Sequence, residues 1–185
     1  MPADRPEILH VFPTFATGGA QRVAAAVMAA SRTRFRHTVV ALDGRFEAAA
    51  GLDGVTLLDG RRFTTLAARR RLLAELAPAL LVTCNWGSLE WVMAAHWPTR
   101  LLLHVHAEHG FGSDELRRRL LRRDLARALL LRRAMRVVLP SCTLLAVARR
   151  AWRLPPQRLV HIPNGVALDT PVPIRPPPAA VRCGW

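Results

Sequence analysis

The chain has 185 residues, enough for one domain with a full apolar core. About half of its residues are hydrophobic, which excludes an unfolded tail, and its formal net charge is +14 with every basic side chain an arginine. That charge favours anionic partners (lipid headgroups, nucleic acid, phosphorylated substrates), although a chain so rich in Ala, Arg, Leu and Pro owes part of its arginine to compositional bias.

In chain order, short apolar runs alternate with longer helical ones. The polar opening "MPADRPE" lacks the apolar segment of a secretory signal. Strands are expected at Ile8–Phe12, Thr38–Leu42, Val55–Leu58, Leu80–Cys84, Leu101–Val105, Arg136–Leu139 and Leu159–Ile162. Helices are expected between them at Ala20–Ala30, Thr64–Leu76, Ser88–His96, Glu115–Arg133 and Cys142–Trp152. Thr17 or Gly18 would cap the first, Ser113 with Asp114 and Glu115 the fourth, and Ser141 the last, while Pro78 and Pro98 fall in connections. Strands that are nearly all apolar are covered on both faces, so the expected fold is α/β, a doubly wound and mainly parallel Rossmann-like sheet. Ligands of such sheets gather at the carboxyl ends of the strands.

Residues 1–170 are therefore expected to form one domain. From Pro171 the text "PVPIRPPPAAVRCGW" is Pro-rich and aperiodic, which reads as a linker or an unfolded end. Cys84, Cys142 and Cys183 form no C-x-x-C pair, which argues against a zinc site or a disulfide framework and suits a reducing compartment. No run approaches the roughly 20 apolar residues of a membrane span, so the expected location is the cytoplasm.

Four features gather polar chemistry at strand ends, and a fifth is a basic helix. Gly18-Gly19 stands where the first strand hands over to a helix. It is either a plain turn or a bare helix start that an anion can approach. In "LLLHVHAEHG", His104 and His106 share a strand face, and His109 lies in the following loop as the better reacting group. A metal site there would need ligands that no other His, Cys or carboxylate cluster supplies. Asn85 and Ser88 follow another strand, with helix capping as the plain alternative. Asn164-Gly165 is good turn chemistry in its own right. In the arginine-rich "DELRRRLLRRDLARALLLRRAM", Leu121, Leu125 and Leu129 recur at i+4 while Arg118 and Arg122 share another side. Such a helix is either solvated or laid against anionic lipid.

Together, "HVFPTFATGGAQRV", "HVHAEHG" and "LPPQRLVHIPNGV" resemble the N-terminal half of the large family-4 retaining glycosyltransferases of GT-B fold. "TCNWGSLE" with "HAEHG" is most similar to sugar transferases associated with exosortase and exopolysaccharide gene clusters. The resemblance covers about Ile8 to Val166. It implies transfer of a sugar, with retained anomeric configuration, from a nucleoside-diphosphate sugar to a glycan or lipid-linked acceptor, without a cofactor or a catalytic metal.

By that resemblance Gly18 and Gly19 admit the donor diphosphate and His109 lies near the reacting sugar. Asn85 and His106 belong to the acceptor side, and Asn164 and Gly165 form the turn before a second domain. Three departures stand out. Gln21 replaces the usual Glu, Ala167 replaces the usual Asp, and the family's donor-binding domain, with its two glutamates separated by seven intervening residues, is missing. On this reading the chain is the acceptor-side domain, inactive alone, with a separate C-terminal half as a conceivable partner and an anionic membrane surface as another. The alternative is an arginine-rich module that binds lipid or RNA without catalysis; RNA is the weaker case, because no aromatic stacking platform or nucleic-acid motif is present.

Overall fold

The computed structural model describes residues 5–96, 103–110 and 121–165. Seven strands make one parallel sheet: β1 (Glu7–Phe12), β2 (Arg36–Ala41), β3 (Val55–Asp59), β4 (Leu80–Cys84), β5 (Leu103–Ala107), β6 (Arg136–Leu139) and β7 (Leu159–His161). Their order across the sheet is β3-β2-β1-β4-β5-β6-β7. Helices α1 (Gly19–Ser31), α2 (Leu66–Leu76), α3 (Leu89–His96), α4 (Leu121–Leu130) and α5 (Cys142–Arg150) provide connections. The expected doubly wound α/β sheet is thus borne out.

Alternation along each strand divides the core between two faces. Leu9 and Val11 of β1 pack with Val40, Leu81, Leu72, Leu73 and Trp91, against α2 and α3. Phe12 points the other way and packs with Phe15, Val39, Ala41 and Met28 of α1. A third cluster joins Leu89 and Val92 of α3 to Val137, Leu139, Leu144, Leu145 and Trp152. Because β1 connects to β2 on one side while β4 lies on its other side, the strand order reverses between β1 and β4. Sheets of this kind take ligands at such a reversal, in the crevice between the loops that follow the two strands.

Element boundaries agree closely with expectation except at β5. That strand runs from Leu103 to Ala107 rather than ending at Val105, because its backbone ladder continues on both sides, with Ala107 paired to Cys84 and to Val138. Ser141 caps α5 as expected, its hydroxyl accepting from the Leu144 amide at 3.2 Å. Ala77 ends α2 in a left-handed conformation, φ 40°, just before Pro78. Pro98, the cap proposed at Ser113, the first part of the Glu115–Arg133 helix and the segment from Pro171 lie outside the described residues. Cys84 is a buried free thiol, and burial pushes its pKa up. Cys142 is disulfide-bonded, although the cysteine spacing argued against a disulfide framework; spacing along the chain says little about proximity in the fold. No described helix is long and apolar enough to cross a membrane.

Candidate functional site at the carboxyl edge of the sheet

The loop after β1 carries Gly18-Gly19 to the crevice. Gly18 is the residue preceding α1, in extended backbone (φ −164°, ψ 165°), and no side chain caps the helix. The first-turn amides of α1 therefore have no side-chain acceptor, and they carry the positive end of the helix dipole. A Cβ at Gly19 would meet nothing within 4 Å, so the approach to this helix start is open. At Gly18 a Cβ would come within 2.5 Å of Gln21 Oε1. Gln21 folds back over the turn, and its Nε2 donates to the Thr14 carbonyl at 3.1 Å. An ionised glutamate has no proton to donate there, so Gln21 is matched to this loop.

The crevice is narrow at its base. A Cβ at Gly87, in the loop after β4, would come within 3.1 Å of Pro13 Cγ. Asn85 opens that loop with φ 56° and ψ 177°, a conformation nearly confined to glycine. It is held from two sides. Its amide donates to the Ala107 carbonyl at 2.9 Å, and its Oδ1 accepts from the His109 amide at 2.8 Å. Asn85 thereby ties the loop after β4 to the loop after β5, and Ser88 bonds back to its carbonyl at 2.9 Å.

Beneath His109 lies a buried polar chain that crosses β4 and β5. Thr83 Oγ1 is 2.7 Å from His104 Nε2 and 2.8 Å from His106 Nδ1. His106 Nε2 reaches Glu108 Oε2 at 3.4 Å, and Arg127 Nε donates to the same oxygen at 3.0 Å. All five residues are almost completely buried. As a carboxylate Glu108 only accepts, so both His106 Nε2–H and Arg127 donate to it, while the Thr83 hydroxyl bridges the two histidine rings. Arg127 is also clasped between two indoles, with its guanidinium carbon 5.2 Å from the Trp86 ring centre and 5.1 Å from that of Trp152.

Among the described residues, Glu108 Oε1 and His109 Nδ1 are buried polar atoms that make no hydrogen bond. Unsatisfied groups of this kind cost about 1–3 kcal/mol each. Burial lowers the His109 pKa, His106 lowers it further, and the negative Glu108 opposes both. His109 is therefore a neutral imidazole at pH 7.

Of the residues singled out in the sequence, Gly18, Gly19, Asn85 and His109 lie on the loops of three adjacent strands, β1, β4 and β5. At about 4.8 Å per strand, β1 and β5 are roughly 10 Å apart. His106 lies below them, enclosed, with both ring nitrogens engaged. Asn164 and Gly165 follow β7, four strands from β1, and both are exposed. Sequence reasoning missed Thr83, Arg127 and the buried role of Glu108. The available signal was the placement of three histidines and a glutamate in and after an otherwise apolar strand. Among the described residues no three His, Cys, Asp or Glu side chains converge as metal ligands.

No curated protein matches the chain. Several solved structures do. The chain resembles HepE of Anabaena, solved in complex with UDP and glucose, with a TM-score of 0.65 and 18% identity over 88% of this chain and 45% of that one. A glycosyltransferase of Rickettsia africae gives 0.60 and 11%, over 88% and 44%. S. aureus MnaA, solved with UDP, gives 0.52 and 14%, over 84% and 43%. At these identities the likeness is one of fold, and the chain spans less than half the length of each of these proteins. The family model described as Glycosyltransferase Family 4 matches residues 17–170, most of the chain. The chain belongs to glycosyltransferase family 4.

Proposed function

We propose that this chain is the acceptor-side domain of a retaining glycosyltransferase that uses a nucleoside-diphosphate sugar. Its acceptor is a glycan or a lipid-linked glycan in exopolysaccharide or cell-surface glycan synthesis on the cytoplasmic side. The observation that carries the reading is the uncapped, open start of α1 beside the strand-order reversal, with His109 two strands away. The amides of Gly19 and Ala20 and the helix dipole would stabilise charge developing on the departing diphosphate. Where a single such donor has been removed from other enzymes, the loss is about 3 kcal/mol of transition-state stabilisation.

His109, neutral and with an unpartnered Nδ1, would accept a hydrogen bond from a sugar hydroxyl. Asn85, Glu108 and His106 are positioning residues on this reading. Asn85 fixes the His109 amide, and His106 and Arg127 fix Glu108 beside it. UDP and glucose in the HepE complex, and UDP in that of MnaA, support a nucleotide-sugar donor. The rest of the donor pocket would come from a further domain or a separate chain, because the matched proteins are more than twice as long as the matched region.

The test is a titration of UDP into the isotopically labelled chain, read at backbone amides. The expected result is weak, saturable shifts at Gly18, Gly19, Ala20 and His109, with Asn164 and Gly165 unmoved. Shifts confined to exposed arginines would overturn the assignment. Measurable sugar transfer by the 185-residue chain alone would overturn the division of labour.

A further inference from the structure

The surface of α4 is the reverse of what its composition suggests. Arg127 is buried, while Leu121, Leu125 and Leu129 are 82%, 61% and 62% exposed. The geometry of the helix explains why. Residues two apart on a helix lie about 200° around its axis from one another. Once Glu108, Trp86 and Trp152 hold Arg127 inward, Leu125 and Leu129 must face outward.

The three leucines form a ridge with a hollow on either side, both hollows lined by Leu129. One, of about 560 Å³, is also lined by Leu121, Asp124, Leu125, Arg132, Arg150 and Arg153. The other, of about 480 Å³, is lined by Val92, Met93, His96, Leu130 and Arg133. Met93, in the second hollow, is itself exposed. The one acidic residue of α4, Asp124, is engaged through Oδ1 by the Trp152 indole N–H at 2.7 Å. The surface is thus an apolar ridge flanked by arginines.

We infer that this face of α4 docks on an anionic lipid bilayer, with Leu121, Leu125 and Leu129 entering the acyl boundary and Arg122, Arg132, Arg150 and Arg153 meeting the headgroups. A ridge of leucine beside arginine suits that interface, since both parts of the contact contribute. A second copy of the chain fits poorly, because a twofold contact through this face would bring two arginine clusters together. RNA would match the arginines but leave the leucines in water. The inference stands on α4 and does not depend on the glycosyltransferase reading.

The test is flotation of the full chain with vesicles of phosphatidylcholine alone and with phosphatidylglycerol added. Flotation with the anionic vesicles, weakened by salt, is expected. The Leu125→Ser, Leu129→Ser double variant alters exposed side chains and should fold. It should partition at least about tenfold more weakly. Arg132→Ser should weaken partition by about fivefold at low ionic strength. Arg34→Ser, on the turn after α1, removes the same charge and should change it little. No flotation with anionic vesicles overturns the proposal. So does flotation that ignores the leucines or falls equally with Arg34→Ser, either of which indicates attraction by net charge alone. Self-association, or binding of polyuridylate, that is lost in the double-leucine variant would assign the face to that partner instead.

Discussion

Substitution of Asn85 separates two opposing effects at the loop that holds His109. The residue sits at φ 56° and ψ 177°, where a side chain costs about 1–3 kcal/mol. What it gains is the 2.8 Å bond from the His109 amide to its Oδ1. Asn85→Ala removes the acceptor, leaving a half-buried amide unpaired at a cost of about 1–2 kcal/mol. It also retains a Cβ in a conformation that alanine tolerates less well than asparagine. Asn85→Gly loses the same bond but relieves the strain, by about 1–2 kcal/mol, offset by about 0.5–1 kcal/mol from the freer unfolded chain. The alanine variant should therefore be about 2 kcal/mol less stable than the parent, and the glycine variant within about 1 kcal/mol of it. Urea unfolding followed by tryptophan fluorescence measures both. Faster exchange of the His109 amide is expected in each variant. An alanine variant as stable as the glycine variant would refute the strain assignment, since ordinary loop positions favour alanine.

The remaining predictions concern buried groups. His10 Nε2 lies 3.1 Å from His37 Nδ1, and burial, with His37 adding to it, lowers the His10 pKa from 6.5 to about 3. Burial lowers the His37 pKa too, against the pull of Glu7. The unfolded chain therefore takes up protons first as the pH falls, so stability is full above pH 6.5 and declines toward pH 3. By pH 5 the His10 contribution alone is about 2 kcal/mol, and equal urea midpoints at pH 7 and pH 5 would contradict it. Arg127→Met removes the cation from the enclosed Glu108 and should cost about 3–5 kcal/mol. Adding Glu108→Gln should recover part of that loss in thermal unfolding, whereas strictly additive effects would show that the two residues do not act as a pair.

The sheet was legible because its strands are runs of Val, Leu and Ile, and a parallel sheet buries both faces of such runs. The loops at strand ends were legible for a related reason: Gly18, Asn85 and His109 are polar or bare residues placed where apolar runs stop. What the linear text does not carry is the pairing that makes a polar residue welcome inside. The register sets Thr83 opposite His106, where its hydroxyl meets the rings of both strand histidines. Asn85 read as a plausible helix cap, but its acceptor serves the amide of a residue 24 positions later. The resemblance to family-4 enzymes drew these loops together before the fold did, yet it said nothing of the chain of Thr83, His106, Glu108 and Arg127 beneath them.

Helix α4 shows how one buried pair can decide two surfaces at once. Composition argues that its arginines face water and its leucines face the core. Glu108 reverses this at one position, because a buried carboxylate needs a cation and Arg127 is delivered to it between Trp86 and Trp152. With that anchor set, helical periodicity leaves the leucines no inward option. The residue that holds Glu108 next to His109 therefore also fixes which face of α4 is presented outward. A docked bilayer would then bear on a helix pinned directly to the His109 loop, which would hold that loop at a defined height above the lipid surface.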